Sequence, residues 1–349
     1  MNRLESRDKG WAANFGLLAG AILVSLVVAE LLLRIVQPDF QYAYIPQKIV
    51  VSHFSPSPLL PFTLKPNNRS QFSMLEFDTT VVTNSQGLRD RELDTDKPRI
   101  LCIGDSFTFG YGVENEEAFC AKLEGLFGGK YEFINAGFAD GLSPDTYALW
   151  LSKHLDVLNP VGILVTLCQN DQSDVVSNRW FRGESVMSPS DHGLPDRIDR
   201  PGSLTTPDGA WLRNNLSAKL PPWVRRLIKS SYVIAFLRER LLRDEKRPAS
   251  QLAQDAAADQ KFLRALDMLY DIAGNRLLGI YLIMDKDQAS PSHMDKLIRE
   301  FGSRRHVPIL LNKEDFTLDD YFRYDPHWNV SGQAKAAQYL HRALTDLGL

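Results

Sequence analysis

Hydrophobicity along the chain comes in three kinds of stretch, and each implies a different element. The first is continuous. Trp11 to Val36 is nearly all apolar, with Glu30 and Arg34 as its only charges. The uncharged part, Trp11 to Ala29, is about the length that crosses a bilayer core. Arg3, Arg7 and Lys9 precede it, so the positive-inside rule predicts a cytoplasmic N-terminus and an exported remainder. A signal peptide cut after Ala29 is the rival reading. The run continues through Leu31, Leu32 and Leu33, which favours an uncleaved anchor. A buried helix of a soluble domain is the third reading, and the lack of charge speaks against it.

The second kind alternates. Phe72, Met74, Phe77, Thr79 and Val81 predict a short hairpin or edge strands within 71–83. Before it, Pro38, Pro46, Pro56, Pro58, Pro61 and Pro66 mark an extended stalk. The third kind is a series of short apolar runs separated by helical periodicity. Ile100–Ile103, Tyr131–Ile134, Val161–Leu167, Leu277–Met284 and Val307–Leu311 read as strands covered on both faces. Phe119, Leu123, Leu126 and Phe127 repeat at helical spacing before Gly128-Gly129, and Phe262, Leu266, Leu269, Tyr270 and Ala273 do so before Gly274. Ser143-Pro144 and Ser290-Pro291 look like helix starts. Alternating strands and helices predict an α/β fold with a parallel sheet of about five strands. The predicted organisation is a tail and transmembrane helix over 1–36, a Pro-rich stalk and short β segment over 37–98, and an α/β domain over 99–349. An insertion at about 175–258 separates the third and fourth strands. Insertions of this kind sit over the carboxyl ends of strands and shape substrate sites.

Composition narrows the classes of function. A net charge of -3 supplies no basic field for nucleic acid. Three cysteines at wide spacing, Cys102, Cys120 and Cys168, argue against a disulfide framework and a zinc site. Cys102 and Cys168 lie in apolar runs and read as core residues. The basic stretch from Arg225 to Arg243 reads as a solvated helix face, with anionic lipid or an acidic glycan as the alternative.

The candidate chemistry lies in the loops after the strands. The first strand runs into Gly104-Asp105-Ser106, which puts Ser106 where an α/β sheet presents reactive groups. Alone, this is an ordinary turn. Near the other end stands Asp325-Pro326-His327-Trp328-Asn329. A serine hydroxyl needs a base to take its proton, and the base needs a carboxylate to fix its tautomer. Of the seven histidines, only His327 has a carboxylate two residues before it, on the same side of an extended loop. Asn329 or Ser331 can cap the last helix. After the third strand, the Asn170 amide can donate to an oxyanion, together with the Ser106 N–H. A backbone N–H in the loop Asn135 to Gly141 is a further donor.

These blocks resemble the SGNH/GDSL hydrolase family, from about Thr83 to the C-terminus without the insertion. The resemblance implies a flavodoxin-like three-layer α/β/α sandwich and esterase, lipase or acetylesterase activity, with no cofactor or metal. It makes Ser106 the nucleophile, His327 and Asp325 its partners, and Ser106, Asn170 and Asp140 or Gly141 the oxyanion donors. There are departures: Cys168 replaces a glycine, Asp140 stands where the oxyanion glycine usually is, and Asp325 precedes His327 by two residues instead of three. The Asp-x-His-Trp form looks like that of alginate O-acetylation proteins. Residues Asn84 to Asp90 look like the lead-in of membrane-anchored SGNH members, for which a structural role is expected. The reading is a membrane-anchored serine esterase outside the cytoplasm, acting on acyl esters or O-acetylated glycans. The alternatives are an O-acyltransferase acting on an envelope polysaccharide, and a non-catalytic membrane-tethered glycan-binding or assembly protein.

Overall fold

The computed structural model describes residues 2–36, 54–55, 63–73, 76–93, 96–138, 142–177, 231–234, 236–237, 256–283, 286, 293–311, 316–323 and 325–349. The chain divides into two units, one of residues 1–47 with 215–246 and one of the remainder. In the first unit, α1 (Asn2–Val36) contains a span, Gly16–Val36, that is long and apolar enough to cross a membrane. Its Leu17, Leu23, Val27, Leu31 and Ile35 are exposed. Glu30 is not left bare. Its carboxylate accepts from Ser231 Oγ (2.9 Å), Tyr232 N–H (2.9 Å) and Val233 N–H (3.0 Å). Arg34, one turn on, pairs with Glu30 and lies over the Tyr232 ring. Most of the basic stretch Arg225 to Arg243, read as a helix face, lies outside the described residues.

The second unit is built on a parallel sheet. Its strands are β5 (Arg99–Gly104), β6 (Glu132–Gly137), β7 (Gly162–Leu167), β8 (Leu277–Leu282) and β9 (Ile309–Leu310). Their order is β6-β5-β7-β8-β9, every pair parallel. This is the 2-1-3-4-5 order of flavodoxin-like sheets, and it reverses direction between β5 and β7. Residues alternate between the two faces. Leu101, Ile103, Ile134, Val165 and Ile280 pack with Leu149 of α4 (Pro144–Leu158), Phe262 and Leu266 of α6 (Ala256–Ala273), and Ile298 and Phe301 of α7 (His293–Arg305). Ile100, Cys102, Phe133, Leu164 and Tyr281 pack with Phe119 and Leu123 of α3 (Phe119–Leu126) and Ala336 and Leu340 of α8 (Val330–Asp346). The result is the expected three layers, and each fully buried Leu, Ile or Phe contributes about 1.5–3 kcal/mol.

The strand limits differ from the pattern in two places. Asn135 to Gly137, read as loop, continues β6, because these residues pair with Cys102 to Gly104. The last strand shrinks to two residues, since Pro308 before it has no N–H to offer the ladder. Ser143 caps α4 as expected, with Pro144 at its first position. Ser290-Pro291 lies outside the described residues.

Ahead of the sheet, β1 (Phe54–Ser55) pairs antiparallel with β2 (Thr63–Leu64), and β3 (Arg69–Ser73) with β4 (Asp78–Val82). The β3–β4 hairpin is no loose appendage, for Leu64, Phe72, Phe77, Val81 and Leu88 are buried in the cluster that covers the sheet. Between the hairpin and β5, the Asn84 amide folds a turn by accepting from the N–H groups of Gln86 and Leu88 (each 3.0 Å) and donating to Arg91 O (2.9 Å). That turn delivers Arg89 into the interior. Its guanidinium donates to the carbonyls of Phe109, Gly110 and Val113 and to Asn115 Oδ1, and it lies over the Phe109 ring. Burial lowers its pKa to about 10, which still leaves it charged. Asp90 Oδ2 accepts the N–H of Asn135 at 2.9 Å, and burial raises its carboxyl to about 6. The structural role expected of this segment is thus the support of the chain just after Ser106 and of β6. Arg89→Met leaves three buried carbonyls without their donor. It should destabilise the domain by roughly 3 kcal/mol or more, measurable by denaturant unfolding.

Candidate active site

The centre of the site stands at the carboxyl end of β5, beside the place where the sheet order reverses. Asp105 ends the strand and caps α2 (Ser106–Phe109), its Oδ1 accepting the Phe107 N–H at 3.1 Å. Ser106 is therefore the first residue of a helical turn. Two glycines let that turn sit close to the sheet. A Cβ on Gly137 would overlap the backbone of Thr108 and Phe109, and one on Gly104 would overlap the hydroxyls of Thr108 and Thr166.

The Asp325–His327 segment meets Ser106 from the far end of the chain. It is not the extended loop that the spacing suggested. Phe322 N–H donates to His327 O (3.0 Å) and Tyr321 bridges Trp328, so the segment is a tight turn closed on itself. The turn still brings acid and imidazole together. His327 Nδ1 lies 2.5 Å from Asp325 Oδ1, which also accepts the His327 backbone N–H at 2.9 Å. His327 Nε2 lies 2.6 Å from Ser106 Oγ. Asp325 is buried, while the His327 side chain keeps 17% of its surface exposed. With Nδ1–H donating to the carboxylate, Nε2 is the acceptor that faces the hydroxyl. Behind the imidazole, Tyr111 stacks at a centroid distance of 4.2 Å and Phe107 tilts at 4.8 Å. Asn329 caps α8, accepting from the N–H groups of Ser331 and Gly332.

Asn170 begins α5 (Asn170–Ser177) beyond β7. Its amide is already engaged: Nδ2 donates to Asp174 Oδ2 at 2.7 Å, and Oδ1 accepts from the Cys168 thiol. Asp140 and Gly141 lie outside the described residues. Asp105, Cys168 and Asp171 form a buried group whose ligand atoms all lie within 4.8 Å of one another. Burial raises the Asp105 carboxyl, and it raises Asp171 well above the usual range. Cys168 Sγ also lies 2.7 Å from Asp105 Oδ2, so its one proton is shared between that oxygen and Asn170 Oδ1, and Tyr147 OH and the Cys168 N–H donate to Asp171. These bonds make the group a hydrogen-bonded support beside Ser106. Tyr111 escaped the sequence reading. A stacking ring has no spacing signature.

No protein-family model and no curated protein matches the chain. Solved structures do. An alpha/beta hydrolase enzyme from the metagenome of Lake Arreo, Spain, is 14% identical over 72% of this chain and 97% of that one, with a TM-score of 0.38. A GDSL-like lipase from Bacteroides thetaiotaomicron is 9% identical over 73% and 91%, with a TM-score of 0.36. At these values the likeness is distant, and the chemistry rests on the site's own atoms. GDSL hydrolases are thus among the solved structures similar to this chain, as the motif resemblance implied.

Proposed function

We propose that the chain is a membrane-anchored serine esterase that works through an acyl-enzyme. The observation that carries this reading is the continuous hydrogen-bonded line from Asp325 through His327 to Ser106. In the first half-reaction, Nε2 of His327 takes the Ser106 proton as Oγ bonds to the acyl carbon. Asp325 steadies the imidazolium that results. In this reading the Ser106 N–H donates to the oxyanion, the Asn170 amide does so by exchanging its bond to Asp174 for it, and the loop of Asp140 and Gly141 is the third source of a donor. His327 then returns the proton to the departing alcohol as the C–O bond breaks. In the second half-reaction water repeats the sequence and frees the acid. A sugar hydroxyl in place of water would make the same site an O-acyltransferase, which the Asp325-Pro326-His327-Trp328 form favours as the second reading. A phosphonate probe should label Ser106, and esters from acetyl to long chain should be tested beside O-acetylated glycans. No labelling would leave the non-catalytic alternative standing. Release of free acetate against transfer to a glycan acceptor separates the two enzymes.

The anchor belongs to the same reading. A charged carboxylate within an apolar helix is costly unless it is paired. Glu30 is held by donors about two hundred positions further on, which suits a retained helix better than a discarded leader. The full-length protein should therefore stay with membranes after a high-salt wash, since salt does not screen apolar insertion. A reporter fused after Leu349 should be active only if it works outside the cytoplasm. A soluble mature chain starting near Glu30 would overturn the anchor and leave the enzyme untouched.

A further inference from the structure

A triad tolerates little displacement, yet Asp325 and His327 stand on irregular backbone. Loop segments are mobile unless their backbone groups find partners. Here the partners are side chains from two remote places. Glu76, in the turn after β3, accepts the N–H of Arg323 at 2.6 Å with Oε1 and that of Asp325 at 3.0 Å with Oε2. Lys286, after β8, donates to the carbonyls of Phe322 (2.8 Å) and Arg323 (2.5 Å). An anion thus holds two N–H groups at and just before Asp325, and a cation holds two carbonyls just before it. Charge-assisted bonds of this kind are roughly twice as strong as neutral ones. The neighbouring residue extends the contact. Phe77 packs on Phe322 (5.1 Å) and on Tyr111 (5.6 Å), the ring stacked on His327.

We infer that Glu76 and Lys286 are positioning residues that clamp the Asp325–His327 turn, and that the hairpin turn Glu76-Phe77 is part of the catalytic apparatus. This rests on the esterase reading for its effect on rate but not for its geometry. The bland alternative is that the two charges merely tidy a surface loop. The alternatives differ in coupling. A clamp acts through Asp325, so its loss matters only while Asp325 can do its work. A general stabiliser matters equally with or without it.

The test uses the purified full-length protein with a short aryl ester. Glu76→Ala should lower kcat about 10²-fold, as expected for a catalytic group moved by about 1 Å, with KM nearly unchanged. Glu76→Gln keeps one acceptor and the side-chain size, so its loss should be intermediate. Lys286→Met should lower kcat in the same manner. Introduced into Asp325→Asn, Glu76→Ala should cost almost nothing more, because the two act on one interaction. A loss that persists in full in that background, or no loss in the otherwise wild-type protein, overturns the clamp. A second measurement does not need turnover. The His327 Nδ1–H proton bound to Asp325 should resonate far downfield, and Glu76→Ala and Glu76→Gln should shift or broaden it. An unmoved resonance overturns the clamp even if Ser106→Ala shows that the nucleophile has been misassigned.

Discussion

Ser106→Ala should remove ester turnover, with kcat falling by about 10⁴- to 10⁶-fold, and leave the fold intact. The size of the loss follows from the position of the hydroxyl. It is the atom 2.6 Å from His327 Nε2, and without it the imidazole has no nucleophile to activate. Water could enter in its place, but it would lack the orientation that the helical turn gives Oγ. The fold should survive because little else depends on that oxygen. Its other polar neighbour, Asp105 Oδ2, lies at 3.4 Å, while Asp105 keeps its bond to the Phe107 N–H and its contact with the Cys168 thiol. The variant should melt within about 2 °C of the parent. The check is kcat on the best ester found, with phosphonate labelling and a melting curve on the same preparation. Retained turnover would remove Ser106 from the mechanism, whereas lost turnover with a collapsed melting curve would point to a structural role.

Asp325→Asn should cost about 10⁴-fold in kcat with little change in KM. An amide cannot hold the imidazole in the required tautomer. If its nitrogen faces Nδ1, the histidine proton moves to Nε2, which can then no longer accept from Ser106. If its oxygen faces Nδ1, the bond survives but the negative charge that steadies the imidazolium is gone. The turn itself should persist, since the Phe322–His327 closure does not involve the carboxylate. Steady-state kinetics beside a melting curve measure both quantities. A loss below about tenfold would mean that another group supplies the charge. Asp105 would then be the first to examine, because its Oδ2 lies 3.4 Å from Ser106 Oγ.

Much of this protein was determined locally and could be read from the sequence. Five apolar runs marked the five strands because a strand buried on both faces shows an unbroken hydrophobic stretch. Ser143-Pro144 marked a helix start because a cap is a contact between near neighbours. Asp325 and His327 were legible as a pair because the carboxylate and imidazole lie two residues apart, and Ser106 because it follows a strand. Only the tertiary structure decided that these two segments, 221 positions apart, would meet. It also set the sheet order, turned the expected loop after the second strand into more strand, and closed the Asp325–His327 segment into a turn. The same holds for Arg89, Glu76 and Lys286. Each acts by a side chain bonded to backbone groups of a distant segment, up to 249 positions away for Glu76. Every non-proline residue carries the same backbone N–H and C=O, so the recipient of such a bond has no signature in its residue type. The upward pKa shift of Asp105 and Asp171 arises the same way, for burial is a property of the assembled fold and not of the residue.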